Sequence, residues 1–444
     1  MNITILTYGS RGDVQPFLAL ALGLKKKGHV VKLAAPHKFD EFITSHGITS
    51  VPLAGDPEEI SRLINNAGTN PIRVIAAIWK YIFSIAPQVS RVAFPACQGA
   101  DLIVHSFLFT VGGHSWAREH NIPDVSIQTF PMFAPTRAFP NVSAPNLPPG
   151  PLSYFSHWLA TQIFWHGGNM GYGPARRAHP EIDYPRGLYF PFDENPLRLR
   201  TPLLFAYSPS ILPRPSGWNE HVHVTGYFFL DELSYQPPVD LSSFLAKGEP
   251  PVCVSFGSMV NRKAEHIDQM IREALKRTTH RGIVLSGWGG MMRQPTDDLL
   301  YLESAPHDWL LPRCKMLVHH GGAGTTSAGL RAGIPQVVVP FTADQPFWGR
   351  RVHAIGVGPK PVPLRKLSVE GMVRAIAGAE SKAVLERAQV TGQRIRGEDG
   401  VGEAVRVIES HLPGARGKLQ GLPRWKFRER RGIQFLPDQE PGRL

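Results

Sequence analysis

Two short stretches set reactive side chains among glycines. The first is Gly9-Ser10-Arg11-Gly12-Asp13, between an apolar run and an amphipathic one; the second is His319-His320-Gly321-Gly322-Ala323-Gly324-Thr325-Thr326. In the second, an apolar strand pattern ends at the histidines and a helix pattern begins near Gly324. Neighbouring strand residues point to opposite faces, so only one imidazole can address the loop. Glycines 321, 322 and 324 let a ligand approach the backbone closely. Amides of a first helical turn, the positive end of the helix dipole and an imidazole together form an anion site. A capped strand-to-helix turn has the same local text. In the first stretch, a carboxylate at a helix start is either a cap or a general base, and at that position it stays ionised at neutral pH.

The elements that must carry these groups follow from periodicity. The opening alternates apolar strands, "ITILTYG" and "HVVKLAAP", with the helix "VQPFLALALGLKKKG". Near-continuous apolar strands alternating with helices indicate a parallel sheet covered on both faces. Asp13 then lies just ahead of Pro16, a residue tolerated in a first helical turn. Residues 231–251, "DELSYQPPVDLSSFLAKGEPP", have a linker's composition, and a second α/β series begins at "VCVSFGS". The expected organisation is a first Rossmann-like domain over 1–232, a linker over 233–250, a second Rossmann-like domain over 251–412 and a basic tail over 413–444. Ligands in doubly wound sheets bind outside the carboxyl ends of the strands. Residues 133–200 break the pattern with proline- and aromatic-rich text, as binding loops or lids do. The G-x-x-G pattern at 9–12 is not the dinucleotide fingerprint, and no acid ends the second strand, which disfavours a nicotinamide enzyme.

Bulk properties narrow the classes. The 444 residues are 42% hydrophobic and 19% charged, enough for two buried cores. Cys97, Cys253 and Cys314 are odd in number and widely spaced, which argues against disulfides and a zinc site. His221 and His223 share a strand face but lack a third ligand, so no metal is expected. Of the net charge of +12, residues 415–444 carry a large part, with eight Lys/Arg against three Asp/Glu. A solvated tail is the plain reading and a weak contact with an anionic membrane the sharper one; no nucleic-acid partner is expected. The start lacks a secretory pattern, and a cytoplasmic location, peripheral to a membrane at most, is the expectation.

The residues around the second stretch are specific. "SAPHDWL", "HHGGAGTT", "RAGIP" and "PFTADQ" follow in order between Ser304 and Gln345. This segment resembles the signature of family 1 glycosyltransferases of the GT-B fold, and is most similar in type to sterol glucosyltransferases and bacterial antibiotic glycosyltransferases. The resemblance implies that His320 donates to a nucleotide diphosphate and that Gly322, Gly324 and Thr325 contact it. It implies that Asp344 and Gln345 hold the hexose hydroxyls, and that Ala305, Pro306, His307 and Trp309 line the base and ribose pocket. Ser304 cannot stack on a base, a task that falls to Trp288 in "SGWGG". Ser258 in "SFGSM" resembles the family's donor-binding serine. "GSRGD" is similar to the loop of the sterol and antibiotic enzymes, which makes Asp13 the base and Ser10, Arg11 and Gly12 its loop.

The implied reaction is an inverting transfer of a hexose, glucose first among them, from a UDP-sugar to a hydroxyl of a hydrophobic acceptor: a sterol, terpenoid, phenolic or polyketide. The UDP-sugar is a co-substrate, and no cofactor is implied. His105, ending "DLIVH", is a further catalytic candidate that could orient Asp13 or the acceptor; a satisfied core histidine is the other reading. The alternatives are a UDP-sugar 2-epimerase on the same scaffold and a non-catalytic nucleotide-sugar-binding partner. Residues 71–94 read as a core or acceptor-wall helix ahead of an interfacial anchor.

Overall fold

The computed structural model describes residues 1–67, 71–171, 201–232, 234–256, 264–287 and 294–411. Ser258, Trp288 and the basic tail lie outside them, as does the second half of the 133–200 insertion. The first domain runs β1 (Asn2–Leu6), α1 (Arg11–Lys26), β2 (Val30–Pro36), α2 (Asp40–Ser45), β3 (Thr49–Leu53), α3 (Pro57–Ala67), α4 (Pro71–Ala96), β4 (Leu102–His105), α5 (Thr110–Glu119), β5 (Asp124–Gln128), α6 (Pro151–Gly171), β6 (Leu203–Phe205) and β7 (Val222–Val224). After α7 (Val239–Ala246), the second has β8 (Val252–Ser255), α8 (Ala264–Arg277), β9 (Gly282–Leu285), β10 (Leu299–Leu302), α9 (His307–Leu310), β11 (Met316–His319), α10 (Ala323–Ala332), β12 (Gln336–Val338), α11 (Gln345–Ala354), α12 (Val369–Ala379), α13 (Lys382–Arg396) and α14 (Gly400–His411).

Both sheets are parallel, in the orders β3-β2-β1-β4-β5-β6-β7 and β10-β9-β8-β11-β12. Valine, isoleucine and leucine fill the central strands, as burial on both faces demands. Strand order reverses between β1 and β4 in the first sheet and between β8 and β11 in the second. There the connections leave on opposite sides and open a crevice. Gly9–Asp13 follow β1 and His320–Gly322 follow β11, so both glycine-rich stretches sit at a switch point.

The domain boundaries differ from the sequence expectation at two places. The linker contains α7, whose Leu241 and Phe244 join the second domain's core with Leu310, Leu311 and Ile334. The final helix α14 returns to the first domain: Ala404, Val405, Val407 and Ile408 belong to the cluster of α1 and β1, and Gly23 leaves room for Val401. Its apolar stripe covers α1. A third difference is α6, a 21-residue helix within the aromatic insertion. That segment has no charged residue between 151 and 171, so no polar face marks it as helical. Cys97, Cys253 and Cys314 are buried and free.

Candidate active site

Asp13 is the third residue of α1 and part of a capping box. Its Oδ2 accepts from the Ser10 backbone N–H at 2.8 Å and the Ser10 hydroxyl at 3.0 Å. Gly9 makes the space: at φ +142° it adopts backbone that side chains avoid, and a Cβ there would fall 2.3 Å from Asp13 Oδ2. Burial pushes the Asp13 carboxyl above the ordinary range, against the two Ser10 hydrogen bonds. The sequence places this carboxylate at a helix start and so expects easy ionisation; the structure adds desolvation, which wins. Helix α1 begins at Arg11, so Pro16 lies inside it rather than in its first turn. Arg11 bonds to Glu232 and Gln15 and lies over the Phe42 ring, 4.9 Å from its centroid.

Across the crevice, the two histidines separate by strand alternation. His319 is buried, and its Nδ1 accepts the Gly321 N–H at 3.1 Å. His320 turns to the loop. A Cβ on Gly322 would lie 2.4 Å from His320 Nε2, so Gly322 is the floor on which the imidazole rests. Gly321, at φ +88°, abuts Val338 and the Gln345 carbonyl, where a Cβ would come within 2.7 and 3.0 Å. Burial, with His307 adding, holds the His320 pKa down at about 4 against the Ser255 backbone, which favours a neutral imidazole. Helix α10 starts at this point without a side-chain cap. Its first-turn amides have no intrahelical acceptors, which leaves the positive end of the helix open to an anion. Gly324 is exposed and Gly322 and Thr325 half-buried.

The two domains meet here. A Cβ on Gly324 would stand 3.8 Å from Gly12 Cα, which is ordinary contact distance. Protein packing therefore does not require glycine at 324. Asp344 occupies the N-cap position of α11 without a side-chain capping bond, and its Oδ2 accepts from Trp348 Nε1 at 2.9 Å. Burial raises its pKa to about 6, with the negative charge of Asp13 contributing, so the two carboxylates face one space. Ala343 next to it is a non-glycine residue at φ 56°. Gln345 has one half of its amide engaged by the protein. Its side-chain oxygen accepts from the N–H groups of Phe341 and Thr342 at 2.8 and 3.1 Å, so it pins the turn that carries Asp344.

The remaining expected donor residues form one edge of the crevice. Ala305 and Pro306 are half-buried, and Pro306 precedes α9. Burial and the Arg11 charge lower the His307 pKa to about 4. Trp309 has Arg313 over its ring at 4.1 Å and meets Tyr235 edge-on at 5.3 Å. Those contacts tie it to the linker.

His105 is corrected to a core residue. Its Nε2 lies 2.9 Å from Oδ2 of Asp124, the first residue of β5, and therefore points away from the strands' carboxyl ends. His114 Nδ1 lies 2.7 Å from the same oxygen, and Thr201 donates to Oδ1 at 2.9 Å. Burial opposes the Asp124 charge, but the His114 and His105 interactions prevail and hold the carboxyl well below its usual range. Among the described residues this trio is one group whose types and spacing suit a metal. At these separations the carboxylate also serves as a hydrogen-bond hub for both imidazoles and Thr201.

Sequence reasoning missed an aromatic wall beside the crevice. Phe107, just beyond β4, stacks on Phe164 of α6 at 4.0 Å and contacts Phe130 at 4.9 Å and Phe133 at 5.9 Å. The sequence signal was the aromatic richness of 130–165, without a means to say which rings converge.

This fold and site define a two-domain glycosyltransferase. Residues 3–138 match the glycosyltransferase family 28 N-terminal domain, and 293–386 match the erythromycin biosynthesis protein CIII-like C-terminal domain. The sterol 3-beta-glucosyltransferase UGT80A2 of Arabidopsis thaliana is 36% identical over 437 residues, covering 94% of this chain and 67% of its own. UGT80B1 of the same plant is 34% identical, covering 93% and 68%. The sterol 3-beta-glucosyltransferase of Neurospora crassa is 34% identical across 98% of this chain, which spans 29% of that longer protein. Among solved structures, the kitacinnamycin glycosyltransferase aligns with a TM-score of 0.68 at 18% identity, covering 93% of this chain and 99% of its own. The calicheamicin glycosyltransferase CalG4 aligns with 0.63 at 17%, covering 93% and 98%. The chain belongs to the GT-B glycosyltransferase family that contains the sterol 3-beta-glucosyltransferases, and it is a glycosyltransferase. These relatives give the epimerase alternative no support.

Proposed function

We propose that the protein transfers a hexose, glucose in the first instance, from a UDP-sugar to the hydroxyl of a membrane-derived lipid alcohol of the sterol class, with inversion at the anomeric carbon. The names of the plant and fungal relatives support the sterol class and the glucosyl group. The aromatic wall around Phe107 and Phe164 suits a rigid apolar acceptor. In this reading the acceptor lies along that wall with its hydroxyl at Asp13. The carboxylate removes the hydroxyl proton, the oxygen forms a bond to the anomeric carbon, and the carbon–phosphate oxygen bond breaks with its electron pair leaving on UDP. His320 and the uncapped start of α10 take up the charge that grows on the diphosphate. Asp344 accepts from hexose hydroxyls, and Gln345 holds its turn in place. Ala305, Pro306, His307 and Trp309 border the nucleoside, with Ser258 and Trp288 assigned to the donor on resemblance alone. The reaction calls on no metal or other cofactor, because fixed donors compensate the phosphates.

The observation that carries the reading is the approach of Gly12 to Gly324. It sets the carboxylate loop of one domain opposite the uncapped start of α10 in the other. Asp13→Asn keeps the Ser10 capping geometry but cannot accept the proton. Turnover on a sterol with UDP-glucose should fall by about three orders of magnitude while the UDP Kd changes less than about threefold. Turnover within tenfold of wild type would remove Asp13 from the role.

A further inference from the structure

Helix α6 shows two unlike faces. Inward, Trp165 is buried, Phe164 joins the aromatic wall, Gly167 accepts the Trp79 ring of α4, and Gly168 rests on Val111. Outward, Leu152, Tyr154, Phe155, Leu159 and Ile163 are exposed by 40 to 62%. Positions 152, 155, 159 and 163 follow the helical repeat and form a single stripe. Phe155 stacks on half-buried Trp158 at 5.6 Å, so two of the aromatic rings there are held side by side. Scattered exposed apolar residues need no explanation, but a continuous aromatic and aliphatic stripe does.

Charge selects the occupant. Residues 151–171 contain no Asp, Glu, Lys or Arg, and residues 71–96 contain Arg73, Lys80 and Arg91 with no acid. These three cations are exposed on α4, the helix that packs against α6. An apolar, aromatic stripe beside a helix whose only charges are positive matches the boundary of an anionic bilayer. Aromatic rings sit at the headgroup level there and cations meet acidic lipids. No described helix is long and apolar enough to cross a membrane. A 21-residue helix, about 31 Å long, can instead lie in the surface plane.

We propose that the outer face of α6, flanked by the basic face of α4, docks the enzyme on an anionic lipid surface. The inner face of the same helix lines the aromatic wall, so docking brings the acceptor's source next to its pocket. This second step rests on the lipid-alcohol reading above; the docking itself does not.

The test uses the full chain and sedimentation with vesicles of phosphatidylcholine alone or with 30 mol% phosphatidylglycerol. Wild type should partition onto the anionic vesicles. A Phe155→Ser/Leu159→Ser/Ile163→Ser variant should lose at least about tenfold in partition coefficient, with its thermal midpoint retained. Arg73→Gln/Lys80→Gln/Arg91→Gln should weaken binding to the anionic vesicles only. Equal binding by the serine variant would overturn the proposal and assign any lipid contact to other parts of the chain, the basic C-terminal segment included. Absence of wild-type binding would overturn it as well, as would a dimer in solution that the serine variant dissociates, since the stripe would then face a second copy. Turnover is read separately, with sterol presented in detergent and in vesicles. A variant slowed only with vesicles supports docking. A wild type that binds vesicles yet turns over no sterol in either form leaves docking standing and refutes the acceptor class.

Discussion

Gly322→Ala isolates the part played by His320 without touching an ionisable group. Gly322 has φ −62°, comfortable for alanine, so the backbone itself gives no reason for glycine. The side chain does: the new Cβ would fall 2.4 Å from His320 Nε2 and 3.2 and 3.3 Å from the adjacent ring carbons. Ordinary contact begins near 3.4 Å, so the imidazole must withdraw by about 1 Å. A displacement of that size in a charge-stabilising group costs about 100-fold, or about 2.7 kcal/mol. The expected result is a drop of that order in kcat/KM for UDP-glucose and a weaker UDP Kd by isothermal titration. Helix N-caps tolerate alanine less well than glycine, but that costs only fractions of a kcal/mol. The His320→Ala background supplies the control. With the ring gone the methyl group meets nothing, so adding Gly322→Ala should change kcat/KM by less than about twofold, which makes the pair strongly non-additive. Equal damage from Gly322→Ala in both backgrounds would refute the reasoning, because the glycine would then matter for the backbone approach of the ligand alone.

Gly9→Ala should act as a disguised Asp13 mutation, since its Cβ would fall 2.3 Å from the carboxylate oxygen and its φ of +142° disfavours any side chain; kcat should drop at least about 100-fold with UDP affinity intact. Donor binding should depend on pH in two ways, measured by calorimetry. UDP carries a dianionic group that raises the His320 pKa from about 4, so UDP binding should tighten as pH falls from that raised value toward about 4 and level off below it. UDP-glucose should show an opposing loss below about pH 6 as Asp344 protonates and can no longer accept from the sugar; Asp13→Asn should move that loss to lower pH by removing a repelling charge. Asp124→Asn should lower stability by about 3 kcal/mol in urea unfolding at pH 7 with kcat per folded molecule near wild type. Because the Asp124 pKa is depressed in the folded state, its contribution is complete above the unfolded value near 4 and fades as pH falls further, so wild type and variant should converge in acid. A loss of kcat in His105→Gln without a loss of stability would return His105 to the reaction.

The parallel sheets, the domain order and the loops at the two switch points were legible because each depends on local text: continuous apolar strands, glycines at turns and helical repeats. What escaped depends on contacts between distant segments. His105 ends a strand at the crevice, and only its partner Asp124, nineteen residues on, turns the imidazole into the core. Gln345 reads as a sugar ligand, and only the fold shows that its oxygen also accepts from the Phe341 and Thr342 amides and so pins the Asp344 turn. Helix α14 reads as part of the second domain because nothing in its own residues says that its stripe fits α1. Helix α6 hid for the opposite reason, having too few polar residues to show a period. Sequence also set cap and base against each other at Asp13; the structure shows the cap, and it engages only one of the two carboxylate oxygens.

Both hydrogen bonds from Ser10 land on Oδ2 of Asp13, and Oδ1 carries none among the described residues. One oxygen thus fixes the carboxylate to the helix start, and in the proposed reaction the other meets the acceptor hydroxyl. Each oxygen needs the other's function. Burial raises the carboxyl and the two Ser10 bonds oppose that rise, so without them its pKa would climb further. With those bonds but no burial, it would be an ordinary weak carboxylate. Raised yet still tethered, it is a stronger base than a solvent-exposed aspartate. The same logic governs the facing side, where burial keeps His320 neutral and, in the proposed reaction, a diphosphate supplies the charge that makes protonation favourable. Each domain therefore holds an ionisable group shifted by burial, and in the proposed reaction the substrates that meet between Gly12 and Gly324 restore its balance.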